Sequence, residues 1–408
     1  MLPIRLVKFF TTLSISMLSP LLTAQPFVPT SEDFVVETLS SSIVTLSQEL
    51  AHNRANADSS RDANRLNQTQ LASLEQQALA AYRIAANTQE QRAYGHTLTI
   101  LQRWPADQEK TATIHILLAA VLQHEHQFSE ALSHLEAALV EAPLNAQAWL
   151  MQAQINLVIA DYDAARESCN TLSNLVQPAV SINCLAQVDA LTGNARRSLE
   201  LVESLLNENR DLSRQDYAEL FTSAAGFSQR LGQTEDAIRY YYAAWQVAPD
   251  HPYVLVNFAQ LLLEQARYED VITLFSPHDE QALSDEQKII LARALSMSEK
   301  TQDIEQAELL KINLAKSFEE AFKRQEALPN KAYAQFTLYL SKEPAKALSA
   351  ARANWALQKE PSDTLLLALA AQANDAQSVL SVLKRWVDSQ RTEDVRLDQV
   401  FARSEVVQ

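Results

Sequence analysis

The 408-residue sequence predicts an all-α fold: a right-handed α-solenoid of stacked helix–turn–helix repeats. Three observations predict it. Residues of one kind return at one spacing. Phe128 and Tyr162, Ala131 and Ala165, Ala119 and Ala153, Ala225 and Ala259, and Ala237 and Val271 all stand 34 residues apart, the period of a two-helix repeat. Only 4 glycines occur, Gly95, Gly193, Gly226 and Gly232, against a usual share of about 7%. Turn-rich sheets and glycine-lined phosphate loops therefore lack their raw material. Ala, Leu, Gln and Glu dominate, all good helix formers, and a hydrophobic share of 47% allows a full core.

Taken in order, residues 1–24 read as a secretory signal peptide. Arg5 and Lys8 precede a mostly apolar run, and Thr23-Ala24-Gln25 offers a small-residue exit, so cleavage is expected after Ala24. Thr11, Ser14, Ser16 and Pro20 make the run a poor membrane span. The expectation is an exported chain, periplasmic or extracellular, with an uncleaved anchor as the alternative. The mature chain is expected to have no transmembrane segment. Residues 25–70 form an N-terminal segment, with short capping helices over 31–50 and a polar linker from His52 to Thr69.

Repeats are expected over 71–276, as helix pairs near 74–106, 112–144, 146–177, 179–208, 218–250 and 252–276. Residues 277–328 depart from the pattern. Ser284-Asp285-Glu286-Gln287 reads as a capping box opening a helix to about Met297. Residues 301–327 read as a long amphipathic helix with Ile304, Leu309, Ile312 and Phe318 near one stripe. Over 329–408 the repeats look degenerate: a shortened pair at Tyr333–Leu340 and Ala345–Gln358, a last pair at Thr364–Ala373 and Asp375–Trp386, then a polar capping tail from Asp388.

Ala225…Leu231-Gly232…Ala237…Tyr241…Ala244…Pro249 and Ala119…Phe128…Ala131…Leu135…Ala138…Pro143 alternate small and large residues in register. The small ones let helix backbones approach, the large ones fill the space between, and proline stops the second helix. In kind and spacing these units resemble the tetratricopeptide repeat, most firmly over 112–276. That resemblance implies a concave surface lined by first helices, where such solenoids commonly bind peptides. Setting the units in register places Gln123, Gln154, Gln187, Gln229 and Gln260 on that face, with Asn183, Thr222 and Tyr253 close by and Arg230 as its cation. Gln and Asn both donate and accept, which suits an extended peptide or a glycan. The opposing reading is a solvated face rich in good helix formers. Neighbouring repeats also bring the helices of Cys169 and Cys184 together. An even cysteine count in an exported chain favours a disulfide between them, with two buried thiols as the alternative.

Chemistry is sparse. No H-E-x-x-H occurs, and the glycine count removes the nucleophile elbow, the P-loop and the dinucleotide fingerprint. His96, His115, His124, His126 and His134 cluster in the sequence and could hold zinc or copper. Exposed turn histidines are the plainer reading, so no ligands are assigned. Glu235-Asp236 and Glu319-Glu320 read as helix-start or surface acids, and Tyr241 and Trp245 as one core stripe. The net charge of −16 becomes −18 once Arg5 and Lys8 are lost, which disfavours nucleic acid. The expected function is a protein-binding adaptor or scaffold of the envelope, with no cofactor and no catalysis. A glycan-binding or polysaccharide-export accessory is the alternative, and an enzyme or metal protein a remote one.

Overall fold

The computed structural model describes residues 66–88, 91–208, 212–324 and 330–405. The signal peptide and almost all of the N-terminal segment lie outside the described residues. Every regular element described is helical, and the helices come in consecutive pairs: α1 (Gln68–Thr88) with α2 (Gln91–Leu101), α3 (Ala112–His124) with α4 (Phe128–Glu141), α5 (Ala146–Ile159) with α6 (Tyr162–Leu172), and α7 (Pro178–Leu191) with α8 (Ala195–Glu208). Next come α9 (Arg214–Arg230) with α10 (Thr234–Val247), α11 (Pro252–Glu264) with α12 (Tyr268–Phe275), and α13 (Asp285–Leu295) with α14 (Thr301–Lys323). The series ends with α15 (Asn330–Gln335, continued as a π-turn over Phe336–Leu340), α16 (Pro344–Leu357), α17 (Pro361–Ala373), α18 (Gln377–Gln390) and α19 (Val395–Glu405).

Local chemistry sets the boundaries. Thr111, Asn145 and Asp161 cap α3, α5 and α6 by accepting a backbone N–H. Ser284 and Gln287 form the expected capping box. Pro178, Pro252, Pro344 and Pro361 open α7, α11, α16 and α17, where the missing N–H costs nothing. Within the pairs, Ala119, Ala153, Ala225 and Ala259 of first helices are fully buried against Ala131, Ala165, Ala237 and Val271 of second helices. The 34-residue period is thus a period of close backbone approach.

First helices of consecutive pairs also pack on one another: α1 on α3, α3 on α5, α5 on α7, α7 on α9, α11 on α13, α13 on α15, and α15 on α17. The second helices show no comparable approach, so the stack curves with its first helices on the inside. The pairing continues through 277–324, because α13 and α14 pack together and α13 joins the α11 and α15 rows.

Two expectations need correction. The buried stripe of α14 is Ala307, Leu310, Leu314 and Phe318, while Ile304, Leu309 and Ile312 face solvent. Ala307, Leu310, Leu314 and Phe318 follow one another at spacings of 3 or 4 and so share one helix face, from which Leu309 and Ile312 point away. Leu310→Ala should cost about 2 kcal/mol and Ile312→Ala under about 0.5, read as thermal shifts of the two variants. The tail is not simply polar, since α19 buries Leu397, Val400 and Phe401 against the last pair.

Candidate functional site

The inner, first-helix side carries a polar strip that runs from repeat to repeat. Gln187 on α7 donates to Ser223 Oγ on α9 at 3.4 Å. Gln229 on α9 and Gln260 on α11 both donate to the Glu264 carboxylate, at 3.0 and 2.9 Å. Arg293 on α13 reaches Gln260 Oε1 at 3.4 Å and stacks 3.7 Å from the centroid of Tyr339, a cation–π contact. Three pairs, Gln187 with Ser223, Gln229 with Glu264 and Arg293 with Gln260, answer each other across successive repeats because the period places like positions side by side.

Tyr253, at the start of α11, leaves 54% of its surface open to water. Desolvation, then Glu360, raises its phenol above the ordinary range, and Lys331 and Glu219 are within electrostatic reach. Glu219 shows the same combination, an exposed carboxylate raised by the protein around it. Tyr253 and Glu219 are thus exposed side chains with charged groups of other elements within reach.

A charge cluster drawn from four elements acts on Tyr253. Lys331 of α15 stands 3.6 Å from Glu286 of α13 and 3.8 Å from Asp363 of α17, and donates to Ser362 Oγ at 3.2 Å. Burial works against the Lys331 charge, but Glu286, Asp363 and Glu360 more than offset it and hold the ammonium above its usual range. Asp363 also accepts from Asn354 at 2.9 Å. Burial, then the neighbouring Asp363, raises the Glu360 carboxyl to about 7.

The remaining expected residues lie elsewhere or are closed off. Gln123 is half-buried near the end of α3, Gln154 is exposed on α5 and Thr222 is half-buried on α9. Asn183 is only 6% exposed, packed inside α7's buried face. Arg230 is not an open groove cation. It is 4% exposed and donates to the Ala190 carbonyl at 2.9 Å, because it turns into a seam between distant parts of the chain.

That seam is the least foreseen feature. Residues 391–396, the link between α18 and α19 with the first residues of α19, run across the turns of two repeats, at Gly193 and Gly232. Thr392 donates to the Leu191 carbonyl at 3.1 Å, and the Ala195 N–H donates to Glu393 Oε2 at 2.7 Å. Asp394 takes a two-pronged bond from Arg396 at 2.9 and 2.7 Å, and both charges act on Arg230. Just before α17, the Lys359 N–H donates to the Val158 carbonyl at 2.7 Å.

The histidines divide. His115 and His134 meet at 2.9 Å through their Nδ1 atoms, whereas His124 stacks on Tyr94 at 3.6 Å and is lowered to about 4 by burial. Among the described residues no group of three or more His, Cys, Asp or Glu could hold a metal ion. Tyr241 and Trp245 belong to a hydrophobic cluster. Cys169 of α6 and Cys184 of α7 are joined in a disulfide that ties the third pair to the fourth.

Residues 230–294 match the tetratricopeptide repeat family. No curated protein matches the chain. Among solved structures, PilW, a widely conserved type IV pilus biogenesis factor, is 18% identical over 52% of this chain and 96% of its own, with a TM-score of 0.38. PilF of Pseudomonas aeruginosa is 16% identical over 62% and 95%, with a TM-score of 0.32. A Rap protein complexed with competence and sporulation factor is 10% identical over 88% and 95%, with a TM-score of 0.48. These likenesses carry nothing about what this chain binds.

Proposed function

We propose that this tetratricopeptide-repeat protein is a non-catalytic adaptor of the cell envelope that holds an extended segment of a partner protein in its inner crevice. Helical arrays of this kind serve protein–protein interaction through extended concave surfaces. The observation that carries the reading here is Tyr253: a large aromatic ring left 54% exposed at the start of a first helix. Within electrostatic reach stand charged groups able to recognise a peptide, namely Glu219, Lys331 and Glu360. Aromatic anchors in walled pockets are where binding energy concentrates. The export reading rests on residues 1–24 and is compatible with the disulfide.

Gln229 and Gln260 are poor test positions for a charge change, since both already donate to Glu264 and a new carboxylate there would disturb packing. Tyr253→Ala is the better variant. Peptides selected by the purified chain from a random displayed library should lose at least ~10-fold in affinity on this substitution, with helicity by circular dichroism unchanged. Equal affinity for both forms would sink the crevice reading. Enrichment on a glycan array, with no peptide selected, would transfer the site to the carbohydrate alternative.

A further inference from the structure

We propose that residues 391–396, together with Lys359 at the entry to α17, form a reversible clasp that closes the array over its own crevice, and that a partner segment is admitted when the clasp opens. The proposal rests on the crevice reading above and adds its regulation.

The glycines point to the clasp first. Turns within the helix pairs pass through a left-handed residue, and at five of them that residue is His126, Ala160, Ala266, Lys342 or Asp375, at φ between 51° and 64°. The conformation by itself therefore does not demand glycine here. The two turns that use it, Gly193 and Gly232, are the two that residues 391–395 cross. A methyl on Gly193 would lie 3.0 Å from Arg391 Cβ, and one on Gly232 would lie 3.4 Å from Val395 Cγ2. Their φ values of 91° and 76° are also larger than at the other turns.

The character of the contact argues that it opens. The apolar cluster that includes α16 to α19 draws its buried residues from 334–401 alone. The clusters beneath the clasp draw theirs from 153–188 and 179–227. No hydrophobic cluster crosses the seam. It is bridged instead by hydrogen bonds at Val158, Leu191 and Ala195 and by the buried Arg230, Asp394 and Arg396 charges. Burying charges costs desolvation that roughly cancels their attraction, and polar interfaces within a chain are the ones that move. Packing along the seam is also incomplete. A cleft of about 510 Å³ lies between the α5–α6 turn, at Asp161 and Tyr162, and Thr192 and Gln390. Since α19 keeps its apolar face on its own module, opening would expose little apolar surface.

Hydrogen exchange of the full chain tests this with the double variant Thr392→Val/Glu393→Ala. The probe is the Lys359 amide, bonded to Val158 and untouched by either substitution. Opening as a unit predicts that its exchange speeds up at least ~10-fold while amides inside α7 and α17 keep their protection. An unchanged Lys359 rate, or one that rises only together with the helix interiors, would overturn the clasp. Thr392→Val by itself serves should the double variant fail to fold, with a smaller acceleration expected and the same contrary outcome. The exchange readout needs no ligand, so a static clasp leaves the crevice reading standing. Conversely, a failed peptide selection leaves the clasp standing.

Discussion

Replacing Lys331 with methionine should destabilise the protein by about 3–5 kcal/mol at pH 8 and by far less at pH 5. Lys331 is the cation at the meeting point of Glu286, Asp363 and Glu360, and removing it leaves carboxylates facing one another in a half-enclosed space. Glu360 sets the pH dependence. Its folded value of about 7 lies above the ordinary 4.5, so the folded state holds this proton more tightly than the unfolded chain does. Stability from that proton is complete below about 4.5 and is lost as pH rises through about 7. Without Lys331 the carboxyl should rise further, so the penalty grows toward alkaline pH and fades as the acids become neutral. Thermal melts of wild type and variant at pH 5 and pH 8 check this. Adding Glu360→Gln to the Lys331 variant should restore part of the loss at pH 8. A loss of equal size at both pH values would show that Lys331 acts by packing rather than by charge.

Cys169→Ala/Cys184→Ala should lower stability by about 3 kcal/mol, the entropy of closing the 15-residue separation between the two cysteines. The loss has a definite location. In an array, stability is the sum of repeat terms and neighbour-interface terms, and this bond fastens the third pair to the fourth. Amides of α6 and α7 should therefore lose protection first, ahead of those in α11 or α17. Both sulfurs are buried, so a reductant should act only as fast as that interface opens. A melt indistinguishable from wild type, with protection unchanged in α6 and α7, would mean that packing at the interface suffices without the bond.

The repeats were legible because the contacts that define them are local. Ala119, Phe128, Ala131 and Leu135 meet within one helix pair, so the residue types needed for close approach recur along the chain at one period. Pairs near 112–144 and 146–177 were placed within a few residues on that ground. The α14 face was misjudged for a related reason. Apolar residues occur all round that helix, so bulk points to Ile304, Leu309 and Ile312, whereas the face that packs carries Ala307, Leu310, Leu314 and Phe318. Gln187, Gln229 and Gln260 sit on first helices and hydrogen-bond to neighbouring polar groups, and Tyr253 opens α11 half-exposed. Arg230 and Asn183 carried no mark in their own repeats of being sealed by others. Glu360 and Asp363 form a local pattern at the start of α17, but nothing nearby announced Lys331 or Glu286 as their partners.

Composition and period alone determined that this chain is a stack of helix pairs, since helix propensity, capping and small-residue spacing act between neighbours in sequence. Only the tertiary structure decided where the stack meets itself. The hydrogen bonds of Lys359 with Val158 and of Glu393 with Ala195, and the pull of Asp394 on Arg230, span roughly 160 to 200 residues. They depend on the curvature summed over many repeats, a quantity that no single repeat encodes.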